Sequence, residues 1–251
     1  LIGMGLTDAE FTAWGWRIPF LVSAILVGLG LWVRLKINET PEFAQALAQE
    51  PPVPIPIGEL FRNHALATFA GTFAVVACFA IFYLSTAFAL AHGTTTLEYQ
   101  REVFLSVQLA AILFLVLGII LSGVRADATN AAKVLTWGCA ATIGLGVVFG
   151  PLLGSGSLWQ GGVALSPARG VLCCVCGPLC ARVPSLFPAR VRYTGASVAF
   201  NAGGILGGAM APIAAQALSE LGGTSLVGLY LTIAGVLSLG GLILARQRTI
   251  Q

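Results

Sequence analysis

The chain has 251 residues, of which 57% are hydrophobic and 9% are charged, and its net charge is +3. Soluble domains carry about 25% charged residues, so this composition cannot cover a water-exposed surface. The basic residues form no basic face, which excludes nucleic-acid binding. Long apolar runs instead predict an all-α membrane protein.

The first predicted span lies at 17–35 and contains the apolar run IPFLVSAILVGLGLWV. Trp14 and Trp16 stand just before it, as is typical of aromatic residues at a membrane interface. The apolar segment LIGMGL at the start of the chain is too short to cross a bilayer and is typical of a helix tail. We therefore expect the chain to be truncated at its N-terminus.

A polar segment rich in Glu and Pro follows at 36–64 and predicts an extended linker with one short amphipathic piece, IGELFRNH. This linker divides the chain into three predicted parts. Residues 1–35 end an N-terminal half, 36–64 form a cytoplasmic linker, and 65–251 form a six-helix bundle.

Six further apolar segments follow the linker, and they bring the predicted number of spans to seven. They are placed at 65–91, 104–124, 134–153, 160–182, 193–217 and 225–246. A cytoplasmic linker and C-terminus would put most Lys and Arg residues on the cytoplasmic side, as the positive-inside rule requires. Six spans in short-loop succession are typical of a transporter half built from two three-helix inverted repeats.

Small residues recur every four positions in the sixth predicted span, which places them on one helix face. They are Gly195, Ala199, Gly203, Gly207, Ala211 and Ala215, with Gly204 and Gly208 in a second strip beside them. Small residues let neighbouring helices approach closely in a bilayer. The surface serves either static packing or helix sliding during alternating access.

Several polar side chains lie within the predicted spans and must either bond between helices or face a cavity. Asn201 lies in the glycine-rich span, Gln108 in the third span, and Tyr83, Ser85 and Thr86 in the second. Arg169 lies near the middle of the fifth span, where a cation is costly and needs a partner or a cavity. It would bind a carboxylate substrate, pair with another residue, or snorkel to the interface. A helix break at Pro167 and Gly170, which flank it, would favour the cavity.

The six cysteines all lie in apolar segments, where free thiols are expected rather than a disulfide framework. The cluster CCVCGPLC at 173–180 has no nearby His and lies in a span, which favours apolar packing over a zinc site. No phosphate-binding loop, nucleophile elbow or acid–base pair of carboxylates is present. The sequence therefore predicts neither an enzyme nor a cofactor.

Three separated motifs resemble the metabolite:proton symporters, a branch of the major facilitator superfamily. WGWRIPFLVSAILVGLGLWVRLKINETPEF (14–43) resembles the sixth span and the loop after it, and FYLSTAFALAHGTTTL (82–97) resembles the seventh span. GPLCARVPSLFPARVRYTGASVAFNAGGILGGAMAP (177–212) resembles the junction of the tenth and eleventh spans. The resemblance covers essentially the whole chain, as the sixth to twelfth spans of a twelve-span protein. Ser185 stands where that family usually has an acidic residue, and Gly123 where it usually has an Asp.

The resemblance implies two six-helix bundles around a central cavity and proton-coupled uptake of a dicarboxylate, a shikimate-like acid or a betaine by alternating access. The bilayer would be the inner membrane, and the partners a small-molecule substrate, the proton and an N-terminal half. A fragment that only packs with that half and does not transport is the alternative. The candidate substrate-binding residues are Tyr83, Thr86, Gln108, Arg169 and Asn201, and the candidate cytoplasmic gate contains Arg125, Asp127, Arg190 and Arg192.

Overall fold

The computed structural model describes residues 7–36 and 56–248, which form helices and no β-strand. The predicted helix tail at the start of the chain and most of the predicted linker lie outside the described residues. The chain divides into two compact units, Leu1–Glu50 and Pro51–Gln251.

The described residues of the first unit, 7–36, contain two α-helices. Helix α1, Asp8–Ala13, begins at a capping box in which the Thr7 hydroxyl accepts from the Glu10 N–H and the Glu10 carboxylate accepts from the Thr7 N–H. The Glu10 carboxylate also accepts from the Thr7 hydroxyl, and this bond together with the one from the Thr7 N–H lowers the pKa of Glu10. Helix α2, Ile18–Lys36, follows a 3₁₀ turn and is apolar on all sides. A helix that is apolar all round is expected of a membrane span.

The second unit contains nine described α-helices. They are α3 Pro56–Asn63, α4 Ala65–Tyr83, α5 Ala89–Thr95, α6 Arg101–Ala128, α7 Ala131–Leu153, α8 Leu158–Arg182, α9 Arg192–Gly204, α10 Met210–Gly222 and α11 Thr224–Arg248. Single π-helical turns, Leu84–Phe88 and Ile205–Ala209, join α4 to α5 and α9 to α10. The described residues hold seven helical stretches long and apolar enough to cross a membrane, which confirms the seven predicted spans.

Glycine contacts bring α7 and α11 together along their length. A Cβ on Gly146 would lie 2.7 Å from the Gly228 carbonyl oxygen, and a Cβ on Gly235 would lie 2.8 Å from the Ile143 side chain. Close packing of this kind supplies adhesion where no hydrophobic force acts between helices. On its other side α11 packs along α4, which joins this pair to the rest of the bundle.

The small-residue face of α9 and α10 packs against α4. The Ala199 Cβ would lie 3.2 Å from a Cβ on Gly71, a Cβ on Gly203 would lie 2.7 Å from the Thr72 carbonyl oxygen, and one on Gly207 would meet the Val76 carbonyl oxygen. Gly195, at the start of the strip, lies instead against the side-chain ring of Phe187, which precedes α9. The predicted strip is therefore a helix interface in which backbones touch.

The expectation that all six cysteines are free is wrong for two of them. Cys78 on α4 and Cys176 on α8 form a disulfide, with their Cα atoms 5.7 Å apart. They are 98 residues apart in sequence, and the packing of α4 against α8 brings them together. Spacing within CCVCGPLC gave no sign of a partner on another helix.

Helix α8 continues through Pro167 and Gly170 without the break that would have favoured a cavity at Arg169. Proline in a membrane helix leaves one carbonyl without its usual donor, and nearby side chains can compensate. The Ser166 hydroxyl donates to the Gly162 carbonyl oxygen at 2.8 Å, whereas the carbonyl that Pro167 leaves without a donor is that of Val163.

Replacing Gly207 with Ala should lower the thermal stability of the protein, because the new Cβ would meet the Val76 backbone. Overpacking of this kind typically costs about 1–3 kcal/mol. The control is Gly204→Ala, whose Cβ would make an ordinary 3.4 Å contact with the Phe79 ring. Thermal unfolding in detergent measures both variants, and equal stability of the two would contradict the backbone contact.

Cysteine counting tests the disulfide. In fully denatured protein without reductant, a maleimide should label the four free thiols, Cys139, Cys173, Cys174 and Cys180, and reduction should raise the number to six. In the Cys78→Ser variant the freed Cys176 should be labelled without reductant. Mass spectrometry reads each result, and six labels on unreduced wild-type protein would contradict the pairing.

Candidate functional site

An open pocket of about 470 Å³ lies between α4 and the α9–α10 segment. Its described lining is Phe79, Tyr83, Phe200, Asn201, Gly204, Ile205, Gly208, Ala209 and Pro212. Two of the predicted binding residues, Tyr83 and Asn201, therefore share one cavity. Three aromatic rings and an amide form a surface that suits a small amphipathic molecule.

The second glycine strip shapes this pocket. Gly204 lies under the Phe79 ring, and a Cβ on Gly208 would lie 2.8 Å from the Tyr83 ring. Because neither glycine has a side chain, the two rings can lie directly over the α9–α10 backbone. One face of the α9–α10 segment therefore packs against the α4 backbone, and a second face lines the pocket.

Asn201 uses its amide N–H within its own helix, where Nδ2 donates to the Ser197 carbonyl oxygen at 2.8 Å. The side chain is exposed at the pocket rather than buried between helices. Its role in binding remains a prediction, and its position leaves the amide oxygen available to a ligand.

Thr86 and Gln108 meet away from the pocket lining. The Gln108 side chain donates from Nε2 to the Thr86 carbonyl oxygen at 3.0 Å and to the Ser85 carbonyl oxygen at 3.2 Å. The Thr86 hydroxyl donates to the Phe82 carbonyl oxygen at 2.6 Å. Gln108 thus bonds to another helical segment, which was one of the two alternatives for it. Substrate contact by the Thr86 or Gln108 side chain remains a prediction.

Arg169 lies inside the bundle and is 4% exposed. It shares one face of α8 with Cys173 and Cys176, at spacing i, i+4 and i+7. The Cys173 thiol contacts the Leu115 carbonyl oxygen of α6 at 3.0 Å, and Cys176 is bonded to α4. Arg169 therefore faces the seam between α4 and α6.

The Arg169 guanidinium lacks a full set of partners. Its Nε is buried and makes no hydrogen bond, and no carboxylate of the described residues pairs with it. A buried guanidinium N–H without an acceptor is costly, and such a group marks a site that an anion can complete. Arg169 is not among the residues that line the pocket, so the structure does not bring the five predicted binding residues into one cavity.

The predicted cytoplasmic gate residues differ in their contacts. Arg190 forms an ion pair with Glu59, which lies on α3 and is largely buried. Arg192 donates from Nε to the Phe187 carbonyl oxygen at 3.3 Å. Arg125 and Asp127 at the end of α6 form no ion pair with another described residue. A gate role remains a prediction for all four.

Sequence reasoning missed several residues near these sites. Phe79 and Phe200 line the pocket, but apolar rings in a span carry no distinguishing signal. Glu59 could have been noticed as the single acid of the amphipathic piece that became α3. His92 is buried and stacks on Phe88 with 5.6 Å between ring centroids, and within the described part of the chain its Nε2 has no hydrogen-bond partner.

Comparison with known proteins identifies the family. The family model of the Major Facilitator Superfamily matches residues 1–212. The chain belongs to the major facilitator superfamily. It is therefore a multi-pass membrane protein of a transporter superfamily rather than of an enzyme family. No solved structure gives a significant match to this superfamily member.

Relatives cover nearly the whole of this superfamily member. It is 35% identical to the inner membrane metabolite transport protein YhjE of Escherichia coli, over 98% of this chain and 57% of the relative. It is 32% identical to the shikimate transporter of the same organism, over 87% of this chain and 50% of the relative. Identity to the E. coli proline/betaine transporter is 23%, over 95% of this chain and 50% of the relative. The chain spans about half the length of the curated relatives it matches.

The Glu59–Arg190 pair generates a testable prediction. Single changes Glu59→Gln and Arg190→Gln should each lower thermal stability, and a double-mutant cycle should give a coupling of about 0.5–1 kcal/mol, as for partly exposed ion pairs. The matched control is the Glu59–Arg192 cycle, because Arg192 bonds to Phe187 instead. Zero coupling between Glu59 and Arg190 would contradict the pair.

Proposed function

We propose that this chain supplies one half of a proton-coupled secondary transporter for small organic acids or zwitterions, and that it works by alternating access in the bacterial inner membrane. Superfamily membership and the names of the metabolite, shikimate and proline/betaine transporters among its relatives support the proposal. The resemblance to metabolite:proton symporters is the basis for the proton, and the positive-inside pattern is the basis for a cytoplasmic C-terminus.

The buried, incompletely bonded Arg169 is the observation that carries the proposal. A charge in the middle of a span is retained at a cost of about 2.5–3.5 kcal/mol on insertion scales, which is hard to explain by packing alone. A carboxylate matches a guanidinium in charge and in its fork of donors. Arg169 would therefore bind the carboxylate that dicarboxylates, shikimate-like acids and betaines have in common.

The aromatic pocket supports the same substrate class, because it suits the parts of the substrate other than the carboxylate. Tyr83, Phe79 and Phe200 offer ring faces, which suit the carbon skeleton of a cyclic acid or the methylated ammonium of a betaine. Asn201 adds an amide for a hydroxyl or carboxylate group. The substrate would occupy the pocket in one state of the transport cycle and reach the Arg169 site in another.

We further propose that transport needs a second six-helix bundle facing this pocket, as in transporters built of two related halves. Relatives of about twice the length support this arrangement. The exposed rings and amide at the pocket would then line a central cavity. A chain that packs with such a half but does not move substrate is the competing interpretation.

Uptake by proteoliposomes tests the function. The chain should be reconstituted alone and together with the N-terminal half of YhjE, its 35% identical relative. Uptake of radiolabelled shikimate, betaine and a dicarboxylate should then be measured. The proposal predicts uptake that an inward proton gradient drives and an uncoupler abolishes. If no substrate is taken up in either reconstitution, the proposal of a transporter is refuted and the packing interpretation remains.

Substitution of Arg169 tests the carboxylate contact. Arg169→Gln should raise KM for an anionic substrate by about 10- to 100-fold, the usual loss when a hydrogen bond to a charged group is removed. Arg169→Lys keeps the charge and should raise KM less. Arg182→Gln, at the end of α8, is the control for a general loss of charge. Unchanged KM in Arg169→Gln would remove Arg169 from the site.

A further inference from the structure

The two π-helical turns share one hydrogen-bonding pattern. In the first, the Ala89 N–H bonds to the Leu84 and Thr86 carbonyl oxygens, so the Ser85 carbonyl loses the donor that a regular α-helix would give it. In the second, the Met210 N–H bonds to the Ile205 carbonyl oxygen, so the Leu206 carbonyl loses its donor in the same way. Each turn contains one extra residue and frees one carbonyl.

A side chain from a neighbouring helix supplies the lost donor in each case. The Gln108 amide of α6 donates to Ser85 at 3.2 Å and to Thr86 at 3.0 Å. The Tyr230 hydroxyl of α11 donates to the Leu206 carbonyl oxygen at 3.3 Å. Freed carbonyls inside a bilayer have no water to bond, so a side-chain donor stabilises the irregular turn.

Both turns adjoin the pocket. Tyr83 is the last residue before the first turn, while Ile205, Gly208 and Ala209 of the second turn line the pocket directly. The Tyr83 ring packs on the backbone at Gly208, which joins the two turns across the cavity. A regular α-helix in place of either turn would rotate the residues on one side of it by about 100° relative to those on the other.

We propose that Gln108 and Tyr230 are positioning residues that stabilise the π-helical conformation of the two turns and thereby set the shape of the pocket. Neither needs to touch the substrate. The consequence for transport depends on the proposed function, whereas the hydrogen-bond support of the turns does not. Loss of either donor favours rearrangement of its turn, so each turn is an element through which a neighbouring helix controls the pocket.

Hydrogen–deuterium exchange of the full chain in lipid nanodiscs tests the support directly. Gln108→Leu should speed exchange in the peptide around 84–90 by about three- to twentyfold, the range that interhelical hydrogen bonds in membranes imply. Tyr230→Phe should act on the peptide around 205–211, with a smaller effect because 3.3 Å is long for a hydroxyl donor. The controls are Gln216→Leu, whose amide bonds to Glu220 on its own helix, and Tyr193→Phe, which is exposed. Exchange in both turns equal to wild type would overturn the proposal.

Deletion of Ala87 separates support of the turn from general packing. Removing one residue should convert the first turn to regular α-helix and return a backbone donor to the Ser85 carbonyl. Gln108→Leu should then lower the melting temperature of the wild-type background but leave that of the deletion background unchanged. An equal loss in both backgrounds would show that Gln108 does not serve the turn and would overturn the assignment.

Uptake kinetics distinguish failure of this assignment from failure of the proposed function. With the N-terminal half supplied, the Ala87 deletion should abolish uptake in a protein that still melts cooperatively, and Tyr230→Phe should change KM more than the maximal rate. Normal uptake by the deletion variant would overturn control of the pocket by the turn. Faster exchange in Gln108→Leu together with no uptake by wild type would refute transport and leave the supporting role of Gln108 intact.

Discussion

Backbone hydrogen bonding in a medium without water is the constraint on which the rest of this structure depends. Every N–H and C=O group within the bilayer must find a partner in the protein, which is why the described residues are helical. Hydroxyl side chains obey the same rule. Thr68, Thr94 and Thr142 each donate to a carbonyl oxygen four residues earlier, so that they add no unpaired group to the membrane interior.

Departures from the regular helix occur where a second helix compensates for them. Ser238 of α11 accepts from the Ala77 N–H and donates to the Phe73 carbonyl oxygen, both at 2.8 Å, and so enters the hydrogen-bond ladder of α4. Tyr230 of the same helix supports the Leu206 carbonyl. Helix α11, which packs closely on α7, thus carries the donors to the helices beside the pocket.

Much of the fold follows from the sequence because membrane spans leave a strong signal in hydropathy and length. All seven spans were predicted, and the spacing of Gly203 and Gly207 indicated the face that contacts α4. The π-turns were not predicted, because the four-residue spacing of the small residues was interpreted as one face of a regular α-helix. The Cys78–Cys176 bond depends on which helices are neighbours, and that information is absent from either helix alone.

The candidate site was only partly predictable for the same reason. A polar residue in a span indicates that it needs a partner, but not whether that partner is protein or ligand. Tyr83 and Asn201 proved to share a pocket, whereas Gln108 was found to bond to Ser85 and Thr86. Arg169 belongs to neither arrangement, since its face of α8 turns toward the seam of α4 and α6 and its Nε has no acceptor among the described residues. Gln108 thus supports a neighbouring helix through bonds to two carbonyl oxygens, whereas the buried Nε of Arg169 makes no such bond to a described residue.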